Sequence, residues 1–439
     1  MAPRTRVVIG LAVASLLAAL ISGRQLFFNL TYAWAGLLLV AFVWSRMAAS
    51  GLRLKRQPLS TRGQVGHIFR ERFYLENASR WTKLWVEVRD LTRVPGYRAT
   101  ALTGLGLVGP SDMVGHQGSF VADDLRRGQS AQWDVRTVCT RRGRYALGPT
   151  EVRTADPFGL FPIVRRLPVG QNVVVLPPVI PVRASGVPSG RLSGGEAIRQ
   201  QTHQLTPNAS TIREYAPGDS LNRIHWKSTA RMQRLIAKEF EFDPLADVWI
   251  VVDVWHRAHY EGDRLHAPGE PYAGPFPSPE DPAAGLPQST MDYAATIAAS
   301  LAFHFIQDDR NVGLIAYGRS RLVMQPGRGQ PQLQKVLESL AVIAADGDYP
   351  VDEVVKIETA RIPRSTTVFM VSASTDPEIV DAAAALRALR RNPHLILIDP
   401  ETFGARDGNA GLARDARSRG LPTSVVEYGE SLPAALDSV

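Results

Sequence analysis

Two uninterrupted apolar runs open the chain, residues 7–22 and 26–44, and only Gly23-Arg24-Gln25 separates them. Neither run carries a charge. A spanning helix needs about 20 residues, with about 17 at the lower end, so the first run is short for the task and the second ample. Backbone amides cannot go unpaired in lipid, and a three-residue break leaves room only for a tight reversal. The pattern predicts a transmembrane hairpin over residues 1–48. Gly10, Ala14 and Ala18 are expected to give the first helix a face small enough for close packing on the second, and Trp34 and Trp44 to serve as packing or interface residues.

From residue 49 to 182 the period changes to two. Trp81 to Val88 alternates, with Leu84, Val86 and Val88 on one face; Gln132 to Thr137 and Val173 to Leu176 read as further strands, the latter stopped by Pro177-Pro178. Short strands separated by Gly, Pro, Asn and Asp clusters predict a β-sandwich-like domain. Arg141 to Pro149 reads as a turn followed by a strand, with Gly143 supplying backbone freedom, and Asp156-Pro157-Phe158-Gly159-Leu160-Phe161 as a turn under an aromatic pair.

After residue 246 continuous apolar runs alternate with helical periodicity. Val248–Val254, Val312–Tyr317, Arg321–Gln325, Thr366–Ser372, His394–Asp399 and Thr423–Tyr428 are predicted strands. Helices are expected over Met291–Asp308, capped by Thr290, over Pro331–Ala345 and over Pro377–Arg391. Such alternation gives a mostly parallel, Rossmann-type α/β sheet over residues 247–439. The Pro-rich tract 256–289 leaves the carboxyl end of the first of these strands, where doubly wound sheets place ligands.

Composition narrows the function. A hydrophobic share of 45% and a charged share of 21% over 439 residues suit a multidomain globular protein. Cys139 is the single cysteine, which excludes an internal disulfide and a Cys-based zinc cage. The net charge of +8 lacks the aromatic-basic groove or helix-turn-helix of a nucleic-acid binder, and much of it flanks the hairpin. Arg4 and Arg6 precede the hairpin, Arg46, Arg53, Lys55, Arg56 and Arg62 follow it, and Arg24 alone lies between. The positive-inside rule then predicts a two-helix membrane protein with its N-terminus and C-terminal domains cytoplasmic; a cleaved signal peptide would leave the second run unexplained.

Residues 183–246 form the expected joint. Arg213-Glu214-Tyr215-Ala216-Pro217-Gly218-Asp219 continues through Arg223-Ile224-His225-Trp226-Lys227 to Arg231. Pro217-Gly218 predicts a turn, Asp219 or Ser220 a helix cap, and Ile224 and Trp226 apolar anchors. The mixed charges read first as an interdomain ion-pair network and second as a partner-docking surface. His225 has no serine or cysteine nucleophile in strand–turn–helix context beside it and reads as structural. Ser193-Gly194-Gly195-Glu196 lacks the Lys of a phosphate loop. The His203–His225 pair has no metal spacing. No catalytic residue, metal ligand or cofactor is assigned.

Three blocks, Arg141-Arg142-Gly143-Arg144-Tyr145, Asp156 to Phe161, and Arg213 to Arg231 followed by Lys238-Glu239-Phe240, together resemble the family catalogued as domain of unknown function 58. The resemblance implies paired membrane helices, a β-sandwich-like region and a von Willebrand factor A-like domain. It also implies a protein-binding scaffold or adaptor, not an enzyme, that works with a MoxR-type AAA+ ATPase in envelope or complex assembly. The family's metal site uses Asp-x-Ser-x-Ser; here the run is Asp253-Val254-Trp255-His256-Arg257. Trp255 offers no oxygen and Arg257 brings a positive charge, so Asp253 is read as the remnant of a degenerate site. The competing expectation is a metal-dependent ligand receptor or hydrolase using the cleft above Asp253.

Overall fold

The computed structural model describes residues 3–92, 94–95, 118–168, 170–182, 209–214, 224–240, 247–262 and 289–436. Two apolar helices, α1 (Pro3–Ser22) and α2 (Gln25–Ala49), form the hairpin, and both are long and apolar enough to cross a membrane. Gly23, at φ +63°, makes the reversal. The helices run several residues beyond the predicted spans, because Arg4, Arg6 and Arg46 continue the helical backbone past the apolar stretch. The packing face of α1 differs from the expected one. Thr5, Ser15 and Ala19 are its buried residues, while Gly10 and Ala14 are exposed, and Thr31 Oγ1 meets Ser15 Oγ at 3.2 Å across the pair.

Ten strands follow: β1 (Leu52–Pro58), β2 (Arg62–Gln64), β3 (Ile68–Asn77), β4 (Lys83–Asp90), β5 (Gly118–Leu125), β6 (Ser130–Val138), β7 (Gly143–Leu147), β8 (Thr150–Thr154), β9 (Ile163–Leu167) and β10 (Gln171–Leu176). They form sheets of order β1-β3-β6, β2-β10-β7 and β5-β4-β8-β9. Strand β3 alternates buried and solvent-facing residues, as a one-sided strand must. Its Phe73 stacks on Trp133, which stacks in turn on Phe120 from another sheet, at 5.2 and 4.0 Å between ring centroids. Of the expected inward trio on β4, Val86 and Val88 are buried, but Leu84 is exposed at the strand's open end.

The joint is represented by a hairpin of β11 (Ala209–Glu214) and β12 (Ile236–Phe240), with the short helix α3 (Trp226–Met232) between them.

The carboxyl half is built from β13 (Val248–Val252), α4 (Thr290–Gln307), β14 (Val312–Tyr317), β15 (Arg321–Gly327), α5 (Gly329–Val342), α6 (Val351–Glu358), β16 (Thr367–Ser372), α7 (Glu378–Ala388), β17 (Asn392–Ile398), α8 (Ala410–Ser418), β18 (Thr423–Val426) and α9 (Leu432–Leu436). The sheet order is β15-β14-β13-β16-β17-β18, parallel except for β15 at the edge. Every residue of β13 is buried. Val248, Ile250 and Val252 face a core shared with α4, α5 and α9, while Trp249 and Val251 face one shared with α6, α7 and α8. Helix α4 is capped by Ser289, whose Oγ accepts from Asp292 N, and the expected cap Thr290 is the first helical residue. The hydroxyl of Thr290 is instead held at the loop formed by His259 and Tyr260.

Gly347 lies where the ends of β13 and β14 converge. A Cβ there would stand 2.2 Å from Tyr317 O and 3.0 Å from Val254 O, both rigid backbone atoms. Gly347→Ala is therefore expected to cost about 1–3 kcal/mol, read as a lowered melting temperature of the purified chain. A melt equal to that of the wild type would show that this close approach is not required.

Candidate functional site

Strand order reverses between β13 and β16, and at their carboxyl ends lies Asp253. Its carboxylate is buried and already engaged. Oδ2 accepts from Ser372 Oγ at 2.6 Å and Oδ1 from Trp255 N at 3.0 Å. His259 Nε2 lies 2.8 Å from the Asp253 main-chain oxygen, and its Nδ1 lies 3.0 Å from Thr290 Oγ1. A neutral ring with its proton on Nε2 satisfies both contacts. Burial pushes the Asp253 carboxyl up and the His259 imidazole down, each partly opposed by the other's charge. Ser372 is buried. Trp255 is half-buried, and His256 and Arg257 are exposed in the following turn. Among the described residues, no cluster of three or more His, Cys, Asp or Glu side chains could hold a metal ion.

The strongest electrostatic feature lies beside this crevice and comes from the other domain. Arg142 Nε stands 2.7 Å from Asp292 Oδ1, with both side chains almost fully buried. Its Nη1 donates to Leu340 O at 2.8 Å and Ile343 O at 2.7 Å, carbonyls at the C-terminal end of α5. The guanidinium therefore bridges the acidic first turn of α4 and the carbonyl end of α5, the two helix termini whose charge preferences it matches. Arg141 adds an ion pair with Glu261 and a longer one, 3.6 Å, with Asp292. Burial pulls the Arg142 pKa down, and the Asp292 carboxylate opposes that shift.

The local sequence explains the aim of these two arginines. Gly143 sits at φ +153°, and a Cβ on it would come within 2.9 Å of the Tyr145 ring. With hydrogen there instead, Tyr145 folds back over the turn, its hydroxyl 3.2 Å from Arg141 O and 3.1 Å from Arg142 O. Burial pushes that phenol up to about 12, so it stays a donor. The block is, as expected, a turn followed by the strand β7, and the turn projects two guanidiniums into the neighbouring domain.

The Asp156–Phe161 block does a parallel job toward the hairpin. The Asp156 carboxylate accepts from the backbone N–H of Phe158 and Phe161, which closes the turn. Thr5 and Ser45 then donate to the carbonyls of Leu160 and Phe161, and Phe161 packs edge-on against Phe42.

Within the Arg213–Arg231 run, Arg213 and Glu214 lie in β11, while Tyr215, Gly218, Asp219 and Arg223, with the expected cap at Asp219 or Ser220, fall outside the described residues. His225 is the N-cap of α3, its Nδ1 accepting from Ser228 N at 3.2 Å, which gives it a structural role. Ile224 is buried, as expected of an anchor. Trp226 is not. It is 67% exposed, and Lys227, Arg231, Met232 and Leu235 are exposed with it. A helix of seven residues, about two turns, closed by Gln233 in the left-handed region is too short to bury opposite faces, and Ile224 rather than Trp226 takes the inward position. The described part of the Pro-rich tract is limited to residues 256–262 and Ser289. Sequence reasoning missed Arg142, Asp292 and His259 as members of a site; only the doubling of arginine before Gly143 hinted at the first.

The family described as protein of unknown function DUF58 matches this chain over residues 211–266. The uncharacterized protein YeaD of Bacillus subtilis (strain 168) is 20% identical over 225 residues, 50% of this chain and 48% of that protein. The chain thus spans about half the length of that curated relative. An aerotolerance-related membrane protein from Bacteroides fragilis aligns with 44% of this chain and 96% of its own, at 11% identity and a TM-score of 0.29. Proximal thread matrix protein 1 from the mussel byssus aligns over 44% and 46%, at 10% identity and a TM-score of 0.27. Both structural likenesses are too loose to carry an argument.

Replacing Arg142 by Met would leave Asp292 buried beside only the more distant Arg141. The expected cost is about 3 kcal/mol, measured by denaturant or thermal unfolding, with Asp292→Asn restoring part of it in the same background. Equal stability of wild type and Arg142→Met would remove the pair from its interdomain role.

His394 is buried beside the Phe369 ring, and lost solvation holds its imidazole below the ordinary 6.5. The unfolded chain takes up that proton near 6.5 while the folded protein resists it, so stability is complete above 6.5 and lost as pH falls below it. His259 acts in the same sense; Asp253, raised by burial, gains relative stability as pH falls. The melting temperature should drop between about pH 7 and about pH 5, and His394→Leu should make the drop shallower. An identical slope in the variant would contradict this assignment.

Proposed function

We propose the following for this chain, which belongs to the DUF58 family: it is a membrane-anchored, non-enzymatic protein-binding scaffold. The hairpin spans the bilayer, and the basic flanks at Arg4, Arg6, Arg46 and Arg53 favour both ends, with all later domains, on the cytoplasmic side. The carboxyl half is a von Willebrand factor A-like module. Numbered within that half, its strands run 3-2-1-4-5-6 with the third antiparallel, an order that supports this reading. The docking element is α3, and its partner is a MoxR-type AAA+ ATPase engaged in envelope or complex assembly, as the family resemblance implies.

The observation that carries the reading is the exposure of Trp226 in the run matched by the family. A tryptophan left in water, beside exposed Met232, Leu235, Lys227 and Arg231, has the composition of an interface centre with a basic rim. The rival, a cation-dependent receptor or hydrolase at Asp253, is less well supported, since both carboxylate oxygens there accept hydrogen bonds from Ser372 and Trp255.

The test is binding of the detergent-solubilised chain to the purified ATPase. Trp226→Ala is expected to weaken it about 30-fold, the effect of losing an anchor worth about 2 kcal/mol, while a chelator leaves it unchanged. Undiminished affinity in the variant would overturn the assignment of α3, and a requirement for Mg²⁺ would favour the rival.

A further inference from the structure

We propose that the base of the hairpin and the facing rim of the β domain form a seat for an anionic phospholipid. A cavity of about 430 Å³ opens between them, lined by Thr5, Phe42, Ser45, Arg46, Phe161 and Ile163 among others. Its lining is mixed, apolar at Phe42, Leu160 and Ile163 and polar at Thr5, Ser45 and Arg46. Its two hydroxyls are already committed to the Leu160 and Phe161 carbonyls, so they offer no unsatisfied donor. The Arg46 guanidinium lies 5.3 Å from the Phe42 ring centroid. On the other helix, Arg4 reaches over the loop, with Nη1 3.3 Å from where a Cβ of Gly159 would be. Both arginines are exposed, and among the described residues neither forms a salt bridge.

The amino-terminal part of the chain is rich in basic residues. Glu71 is the first acidic residue of the chain, whereas Arg4, Arg6, Arg24, Arg46, Arg53, Lys55, Arg56, Arg62 and Arg70 all precede it. Arg56 and Arg62 meet Glu71, Asp90 and Glu338 within the fold, whereas Arg4 and Arg46 form no ion pair among the described residues and stay open to an external anion.

The rim of the β domain points to the same occupant. The end of α2 holds the β3–β4 loop from both sides, where Ala78 N donates to Gly51 O and Lys83 Nζ donates to Met47 O, and the β5–β6 turn follows through Gly128 N to Asn77 O. Trp81 on the first of these is 57% exposed and Leu84 beside it is exposed as well, Phe158 on the Asp156–Phe161 turn is 55% exposed, and Arg80, Arg126 and Arg127 on the same two loops are exposed. Exposed aromatics interleaved with arginine, held at the mouth of a membrane hairpin, match the headgroup zone of a bilayer. The acyl chain would lie along Phe42 and Ile163, and the phosphate between Arg4 and Arg46.

This inference rests on the reading that the hairpin spans a bilayer, and the experiment separates the two. The full chain is reconstituted into vesicles of phosphatidylcholine with and without phosphatidylglycerol, tested for flotation and alkali resistance, then extracted mildly and weighed with its retained lipid by native mass spectrometry. Insertion into both vesicles is expected, with phosphatidylglycerol retained about tenfold over phosphatidylcholine. The Arg4→Gln/Arg46→Gln variant should insert equally and lose the preference. Arg24→Gln, at the other end of the hairpin, should keep it, and an excess of inorganic phosphate should not displace the lipid. Normal insertion with equal retention of the two lipids, or a preference surviving in the double variant, would sink the lipid seat alone. Displacement by free phosphate would reject a lipid as the ligand. A chain that fails to float with either vesicle would bring down the spanning hairpin and the seat with it.

Discussion

Moving a guanidinium out of water costs several kcal/mol unless its charge and its donors are met inside the protein. Arg142 finds its counter-charge and the acceptors for Nη1 only when two domains are together, although its Nε and Asp292 Oδ2 make no hydrogen bond there. Its counter-charge, Asp292, belongs to the first turn of α4, and its neutral acceptors are the last carbonyls of α5. Separating the β domain from the α/β domain would therefore strand a buried cation on one side and a buried anion on the other. The surrounding ties are weaker and local: Arg62 with Glu338 on the surface, and Ile180 N to Ser300 Oγ inside. They gain from a geometry that Arg142 has already set.

The crevice at the strand-order reversal shows what this arrangement leaves for chemistry. In an oxygen-lined cation site the carboxylate must keep lone pairs for the ion. Asp253 is buried with one hydrogen bond on each oxygen, from Ser372 and Trp255, and the adjoining His259 is oriented by the main chain and by Thr290. Positive charge is supplied nearby by Arg142, whose proximity further disfavours protonation of His259. The polar groups at this end of the sheet are thus turned on one another, which suits a rigid support.

Much of the architecture was legible because burial imposes periodicity. The two apolar runs, the strands of the carboxyl sheet and the alternation along β4 all follow from which faces must avoid water. The failures have physical causes as well. Helices α6, α8 and α9 were absent from the expected elements because eight, nine and five residues carry too few turns to display a stripe. The face of α1 was misassigned since small residues line more than one side of it, and only the turn at Gly23 selects Ser15 and Ala19. For the site, the position of Asp253 at the carboxyl end of β13 could be read directly. Arg142 could not, because its meaning depends on Asp292, 150 residues away in another domain. Trp226 was expected inside on hydrophobicity alone, whereas a helix of a single exposed face offered no interior for it.

Lys83 is buried at the start of β4, with its ammonium 2.6 Å from the Met47 carbonyl near the end of α2. Desolvation lowers its pKa, yet the carbonyl terminus of a helix is where a cation is best tolerated. Together with Phe161 against Phe42, it gives the anchor a second point of attachment besides the covalent link at Ser50 and Gly51. A single tether is a swivel; two contacts on different sides of α2 make a bracket. The β domain is consequently denied free rotation about the axis of α2, and the two move as one piece.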